Sequence, residues 1–319
     1  MDNVAIFTTE ASEYLAQLIA ANLNNIPLGE TERRSFPGGE NYLRLGINHR
    51  EELMGKTAIF VGSTHTDLDF AELCDVVATL ADYGTKRRIV IIPFFGYSTM
   101  ERAKLPGEVV RAKTRAADLS AIPNTCQGNT FLMLDLHTPG LIHYFEGDCL
   151  RHQLYARQVL TAALRKLLRP TDSQKMIFGS ADLGRPDTVQ LIAEEFGTDL
   201  AFINKSRRFT KTEVLAVIGD VQGKAVIIYD DMIRSGNTLI DAAKAYLEKG
   251  ATTVHAIISH LAFNDAGVID ALEDSPIERI IGTNSHPMSQ HPLVQQSRKI
   301  TVVDVAPVFV EAIRPILTL

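Results

Sequence analysis

The stretch that most restricts how this chain can fold runs from Lys224 to Ile240. Lys224–Tyr229 is a short apolar run rich in β-branched residues, as expected of a strand buried on both faces in a parallel sheet. It ends in two adjacent acids, Asp230 and Asp231. A polar loop follows, Arg234-Ser235-Gly236-Asn237-Thr238, and Leu239 opens a helical pattern continued by Ala242, Ala243, Tyr246 and Leu247. Strand, loop and helix in that order commit this part of the chain to α/β architecture.

The same stretch can hold an anion. The first turn of a helix has unpaired N–H groups, Gly236 lets the backbone come close, and Ser235 and Thr238 add hydroxyl donors. Carboxylates at a strand end accept hydrogen bonds from vicinal sugar hydroxyls, or hold Mg²⁺ through water. A phosphate on one side and a diol on the other describe a ribose 5-phosphate. The plain alternative is a strand capped by Asp before an ordinary helix.

Composition narrows the class. A chain of 319 residues makes one large or two medium domains. Its hydrophobic content of 45% allows a full core. A net charge of −6 argues against a nucleic-acid surface and fits a small-molecule enzyme. Cys74, Cys126 and Cys149 lack metal-ligand spacing and read as free thiols in a reducing compartment. The first residues carry no basic segment and enter a strand pattern, and no apolar run reaches membrane-spanning length. The expected location is the cytoplasm.

Along the chain, strands are expected at Val4–Thr9, Tyr42–Ile47, Gly55–Ser63, Arg87–Pro93 and Phe131–Leu136, with helices at Ala11–Leu23 and Phe70–Tyr83. Ser35–Tyr42 is a Gly-rich turn, and Ser98–Arg115 a polar loop feeding a helix. A long helix is expected over Arg151–Leu168, stopped at Arg169-Pro170-Thr171. Further strands are expected at Met176–Ser180, Leu200–Ile203, Val254–Ser259, Ile277–Gly282 and Ile300–Val305, with helices at Pro186–Glu195 and Ala306–Ile316. Met54–Val61 echoes Gln222–Tyr229, and Asp82-Tyr83-Gly84-Thr85 echoes Glu248-Lys249-Gly250-Ala251, at a steady offset. Two like α/β halves are expected, residues 1–155 and 156–319, with the last helix able to pack back on the first half.

The residues resemble the ribose-phosphate pyrophosphokinases, or phosphoribosyl pyrophosphate (PRPP) synthetases. Phe36-Pro37-Gly38-Gly39-Glu40, Pro93-Phe94-Phe95-Gly96-Tyr97, Asp135-Leu136-His137, Ser180-Ala181-Asp182-Leu183-Gly184, Asn204-Lys205-Ser206-Arg207 and Ile218–Lys224 occur in the family's order with the opening stretch. The resemblance implies two phosphoribosyltransferase-like domains related by a pseudo-twofold, ATP on the first and ribose 5-phosphate on the second. It implies that Mg·ATP and ribose 5-phosphate give PRPP and AMP for nucleotide biosynthesis, with Mg²⁺ as cofactor. It also implies a homo-oligomer, a dimer or a hexamer built as a trimer of dimers, with no nucleic-acid or membrane partner.

Roles follow from the resemblance. Asp230 and Asp231 would hold the ribose hydroxyls, and Arg234, Ser235, Gly236, Asn237 and Thr238 the 5-phosphate. His137 and Asp182 match Mg²⁺-associated positions. Imidazole is an uncommon Mg²⁺ ligand, so an ATP-phosphate or water contact stays open for His137, as does a structural role. Lys205 and Arg207 would be catalytic, on a loop that closes over the phosphates; a solvated basic loop is the alternative. Phe36, Gly38 and Glu40 match the adenine-contacting turn, which in the family reaches a neighbouring subunit's site; a simple hairpin turn is the alternative.

The departures are local. The family's ATP-contacting Arg and Gln are Thr99 and Met100 here; an Asp is Gly38, another Asp is Arg234, and a Gly is Asn237. Arg234 suits phosphate, since a guanidinium forks onto its oxygens. Gly107-Glu108-Val109, Ile122-Pro123, Tyr144–Asp148 and Ser235 resemble the plant-type class II branch, which implies independence of inorganic phosphate. Arg102 is then the candidate for the missing ATP arginine. Two other readings stay open: a non-catalytic regulatory relative, favoured by Thr99 and Met100, and a PRPP-consuming phosphoribosyltransferase.

Overall fold

The structure, a computed structural model, describes residues 3–167, 175–182, 186–208 and 211–317, without the side chains of 205–215. The chain divides into two compact units, Met1–Tyr155 with Ala306–Leu319, and Ala156–Val305. In the first unit the elements are β1 (Val4–Thr8), α1 (Glu13–Asn22), β2 (Thr31–Ser35), β3 (Asn41–Leu45), β4 (Thr57–Val61), α2 (Asp67–Asp82), β5 (Arg87–Ile92), α3 (Arg111–Ser120), β6 (Asn129–Leu134) and β7 (Leu150–Leu154). The second unit has α4 (Arg157–Leu167), β8 (Met176–Ser180), α5 (Pro186–Phe196), β9 (Leu200–Arg208), β10 (Lys211–Ile218), β11 (Ala225–Ile233) and α6 (Asn237–Glu248). It continues with β12 (Thr253–Leu261), α7 (Gly267–Glu273), β13 (Arg279–Thr283), α8 (Pro292–Gln296) and β14 (Ile300–Val303). The last helix, α9 (Ala306–Leu317), rejoins the first unit, where Arg314 donates to the Asn22 carbonyl of α1 at 3.1 Å.

The expected α/β fold is present. One sheet runs β1-β4-β5-β6-β7, all parallel. The other runs β10-β9-β8-β11-β12-β13-β14, parallel throughout except at β10–β9. Set β8 against β1 and β11 against β4, and the five-strand order is the same in both. The internal echo in the sequence is therefore an echo of topology. The extra pair differs: β2–β3 stands apart as its own two-stranded sheet, whereas β9–β10 extends the main one. β4 and β6 are buried along their whole length, which the apolar runs require of central parallel strands.

Several expectations need correction. The helix placed over Arg151–Leu168 begins only at Arg157, because Leu150–Leu154 is the edge strand β7 paired to β6. Its two leucines, four apart, suit a helix face as well as a strand, and the sheet edge decides. β2 was not expected, since Thr-Glu-Arg-Arg-Ser has no apolar alternation; it forms by pairing with β3. α7 was not expected either. The break at Arg169-Pro170-Thr171 lies outside the described residues.

Candidate active site

β11 does not stop at the acids. It runs on to Ile233 because β12 continues beside it, pairing Met232 with His260 and Ile233 with Leu261. Asp230 and Asp231 therefore lie inside a strand, Asp231 3% exposed and Asp230 half-buried. The Asp231 N–H donates to the Asp230 carboxylate at 2.9 Å. Desolvation first, then the charges of Asp231 and Asp182, raise the Asp230 pKa well above the ordinary carboxylate range. The charge of Asp182, at the end of the neighbouring strand, is felt at Asp230.

The loop after β11 leads directly into the start of α6. Gly236 sits in the left-handed region, φ 75°, as the N-cap of α6, and no side chain caps the helix. The N–H groups of Leu239 and Ile240 already bond the Gly236 carbonyl at 3.1 and 3.0 Å. The N–H groups of the first turn ahead of them are helix-start donors, where an anion binds. Arg234, Ser235, Asn237 and Thr238 are exposed around that turn. The loop is pinned from behind by the Asn264 N–H, which donates to the Arg234 carbonyl at 3.1 Å.

Asp182 follows β8. Ser180, its last residue, pairs in register with Tyr229 of β11, one residue before Asp230. The Asp182 N–H donates to Ser180 Oγ at 3.2 Å, and Ser180 Oγ donates back to the Asp182 carbonyl. Leu183 and Gly184 lie outside the described residues. His137 comes three residues after β6 and is half-buried; Asp135 before it is 4% exposed, at φ 38°, and its N–H donates to the Leu154 carbonyl at 2.9 Å. Among the described residues no group of three or more His, Cys, Asp or Glu could hold a metal ion.

Lys205 and Arg207 are not on a loop. Their backbone belongs to β9, opposite Val214 and Thr212 of β10, in an antiparallel hairpin. Their side chains lie outside the described residues.

The Phe36–Glu40 turn caps the β2–β3 hairpin. The Phe36 N–H bonds the Glu40 carbonyl at 2.8 Å, and Gly39, at φ 88°, closes the bend. Phe36 is 44% exposed, Glu40 is exposed, and nothing within 4 Å would meet a side chain at Gly38. Arg34 lies 4.1 Å above the Tyr42 ring and 5.7 Å from Phe36, a cation–aromatic stack. At the base, Arg33 forks onto Glu72 of α2, with Nε at 3.0 and 3.2 Å and Nη2 at 2.7 Å, and its Nη2 also reaches the Thr8 carbonyl at 2.6 Å. Sequence reading missed both arginines, since their partners are fixed by tertiary packing.

After β5, Tyr97 takes φ 60°, and Thr99 and Met100 are partly exposed. The Arg102 side chain is 74% exposed and lies 3.3 Å from Glu101. Beside them, Asp67 accepts from Tyr97 at 2.8 Å, Arg111 at 3.1 Å and Arg115 at 2.5 Å. The Tyr97 hydroxyl and then the two guanidiniums lower the Asp67 pKa. One carboxylate there faces two guanidiniums.

Two like α/β units, one carrying an acid pair within a strand and a glycine-capped helix start after it, define a doubled α/β protein. Residues 4–122 match the model for the N-terminal domain of ribose phosphate pyrophosphokinase, and residues 201–318 that for the phosphoribosyl synthetase-associated domain. The chain is 30% identical to the ribose-phosphate pyrophosphokinase of Wolinella succinogenes over 98% of its length and 96% of the relative's. With that of Chlorobaculum tepidum the identity is 28%, over 98% of this chain and 92% of the relative. In fold it matches the crystal structure of phosphoribosylpyrophosphate synthetase from Mycobacterium smegmatis, with a TM-score of 0.83, 24% identity and 99% of each chain covered. The chain belongs to the ribose-phosphate pyrophosphokinase family.

Proposed function

We propose that this protein transfers the β,γ-diphosphoryl group of ATP to O1 of ribose 5-phosphate, giving PRPP and AMP. The observation that carries the reading is the joint presence, on β11 and the start of α6, of the acid pair and the Gly236 anion loop. The anomeric hydroxyl attacks the β-phosphorus, the bond from that phosphorus to the AMP oxygen breaks, and the hydroxyl proton leaves to solvent. Such a transfer needs positioning and charge stabilisation more than covalent help.

Asp230 and Asp231 accept hydrogen bonds from the ribose hydroxyls and fix the sugar. Arg234–Thr238 and the first N–H groups of α6 hold the 5-phosphate. Lys205 and Arg207 neutralise charge developing on the transferred group. Phe36 and Glu40 take the adenine by stacking and by accepting from its amine, and Arg102 replaces the arginine lost at Thr99. Asp182 and His137 are the candidate protein contacts for Mg²⁺, which would supply charge neutralisation at the ATP phosphates. One carboxylate with substrate phosphates suffices for Mg²⁺, so Asp182 fits it without a protein cage, and His137 would reach it through water or contact a phosphate.

An exposed Phe36–Glu40 tip suits a site completed by a second copy, so the working form is a homo-oligomer, a dimer or a trimer of dimers. Ser235, Gly107-Glu108-Val109 and the loss of the usual Arg and Gln support a class II enzyme independent of inorganic phosphate. No helix among the described residues is long and apolar enough to cross a membrane, and a supply of ATP and ribose 5-phosphate favours the cytoplasm. Thr99 and Met100 favour a second reading, a non-catalytic regulatory subunit.

The test is direct. Purified protein is incubated with ribose 5-phosphate and Mg·ATP, with and without inorganic phosphate, and AMP and PRPP are resolved by chromatography. AMP in both arms is expected. AMP in neither arm removes the enzyme reading, and AMP only with phosphate removes the class II reading.

A further inference from the structure

Tyr246 lies in the last turn of α6, wholly buried, in a position where a leucine would satisfy the helical pattern. Its hydroxyl instead donates to the Ser180 carbonyl at the end of β8, at 2.8 Å. Room for the phenol is made by Gly179: a Cβ there would lie 2.9 Å from Tyr246 Oη and 3.1 Å from its Cζ. Tyrosine and glycine therefore form a fitted pair on facing elements. Burial raises the phenol pKa further above its ordinary value, so the hydroxyl remains a donor at every working pH.

What the hydroxyl holds is the start of a short turn. Ser180 bonds Asp182 twice, its Oγ accepting from the Asp182 N–H at 3.2 Å and donating to the Asp182 carbonyl. Ser180 also stands in register with Tyr229, next to Asp230. Asp182 is close enough for its charge to help raise the Asp230 carboxyl pKa. Meanwhile α6, which carries Tyr246, begins at the Gly236 loop. One hydroxyl thus joins the helix of the anion loop to the turn bearing the third carboxylate.

We propose that Tyr246 is a positioning residue, which fixes the Ser180–Asp182 turn against α6 and so sets where the Asp182 carboxylate stands relative to the acid pair. A buried aromatic side chain placed only to fill the core needs no hydroxyl. Phenylalanine fills the same volume but removes the bond to the Ser180 carbonyl, which loosens the turn while sparing the packing. The inference deepens the proposed PRPP synthesis and rests on it only for its kinetic arm.

The experiment compares the full chain with Tyr246→Phe and Ser180→Ala by amide hydrogen exchange and steady-state kinetics. Exchange of the Ser180–Asp182 amides is expected to speed about tenfold in Tyr246→Phe, with β12 unchanged, because the opening is local. Turnover is expected to fall about tenfold while the ribose 5-phosphate KM stays within about twofold, the mark of an interaction realised in the transition state. Ser180→Ala, which cuts the turn without touching the core, should reproduce the faster local exchange, and the double variant should be no worse than the worse single. Unchanged exchange at Ser180–Asp182, or a lowered melting temperature with unaltered turnover, overturns the proposal. If the parent protein makes no AMP, the reaction assignment fails, and the exchange arm still decides the role of Tyr246.

Discussion

The backbone N–H of Asp231 donates to the Asp230 carboxylate at 2.9 Å within a single strand, so the peptide itself orients one acid of the pair. The bond favours the charged carboxylate, but desolvation and the two neighbouring acids outweigh it. β11 thus holds, at the candidate sugar site, a carboxyl whose pKa burial and like charges raise well above the ordinary carboxylate range.

Asp230→Asn is therefore expected to stabilise the free protein. A carboxyl whose pKa is raised in the fold binds its proton more tightly there than in the unfolded chain. Stability is then lost as pH rises above the unfolded value, about 4, toward the raised one. Thermal unfolding followed by circular dichroism should show the variant gaining on the parent across that rise, by a few degrees at neutral pH. The same change should raise the ribose 5-phosphate KM, the exchange of stability for function usual at binding sites.

Gly236→Ala tests the anion loop. Alanine at φ 75° costs about 1–2 kcal/mol, and its methyl would lie 3.3 Å from Val268 Cγ1, where the core must yield. Urea denaturation should report that loss. Kinetically, the ribose 5-phosphate KM should rise with the ATP KM little changed; a rise in the ATP KM alone would place the loop on the nucleotide instead.

Much of the fold was legible because central parallel strands must be apolar on both faces: Thr57–Val61, Arg87–Ile92 and Ala225–Tyr229 announce themselves. What escaped depended on partners distant in sequence. Thr31–Ser35 is a strand only because Asn41–Leu45 returns beside it, and Lys205 and Arg207 fall in a strand because Lys211–Ile218 pairs with them. Asp230 and Asp231 lie within β11 because β12 runs on to Leu261. The helix start after Gly236 was readable from residue types alone. The hydrogen bond from Tyr246 to Ser180 was not, since nothing in either segment requires the other.

Arg88 carries a prediction about stability alone. It is 1% exposed, and its guanidinium donates to the Val77 and Pro123 carbonyls. Burial lowers its pKa to about 10, which leaves it charged at neutral pH. Arg88→Met fills similar volume but removes two hydrogen bonds from a charged donor, each worth about 1.5–3 kcal/mol, and leaves the Pro123 carbonyl only the Asn129 amide as side-chain donor, at 3.3 Å. Denaturant unfolding should show a loss of about 2–5 kcal/mol. A neutral outcome would mean that water replaces the guanidinium.

Arg33 separates the hairpin from the rest of the first unit. β2 and β3 form their own sheet, so the direction in which Phe36 and Glu40 project depends on what ties the base down. Arg33 does so with a fork onto Glu72 and a bond to the Thr8 carbonyl, linking β2 to both α2 and β1. Lysine keeps the charge but loses the fork. Arg33→Lys should cost about 1 kcal/mol in stability, because the pair is partly exposed. It should also speed amide exchange across the Ser35–Asn41 end of the hairpin. If the hairpin presents the base-binding turn, the ATP KM rises severalfold while the ribose 5-phosphate KM holds. An unaltered ATP KM alongside a loosened hairpin would remove Phe36 and Glu40 from the nucleotide site and leave them a surface turn.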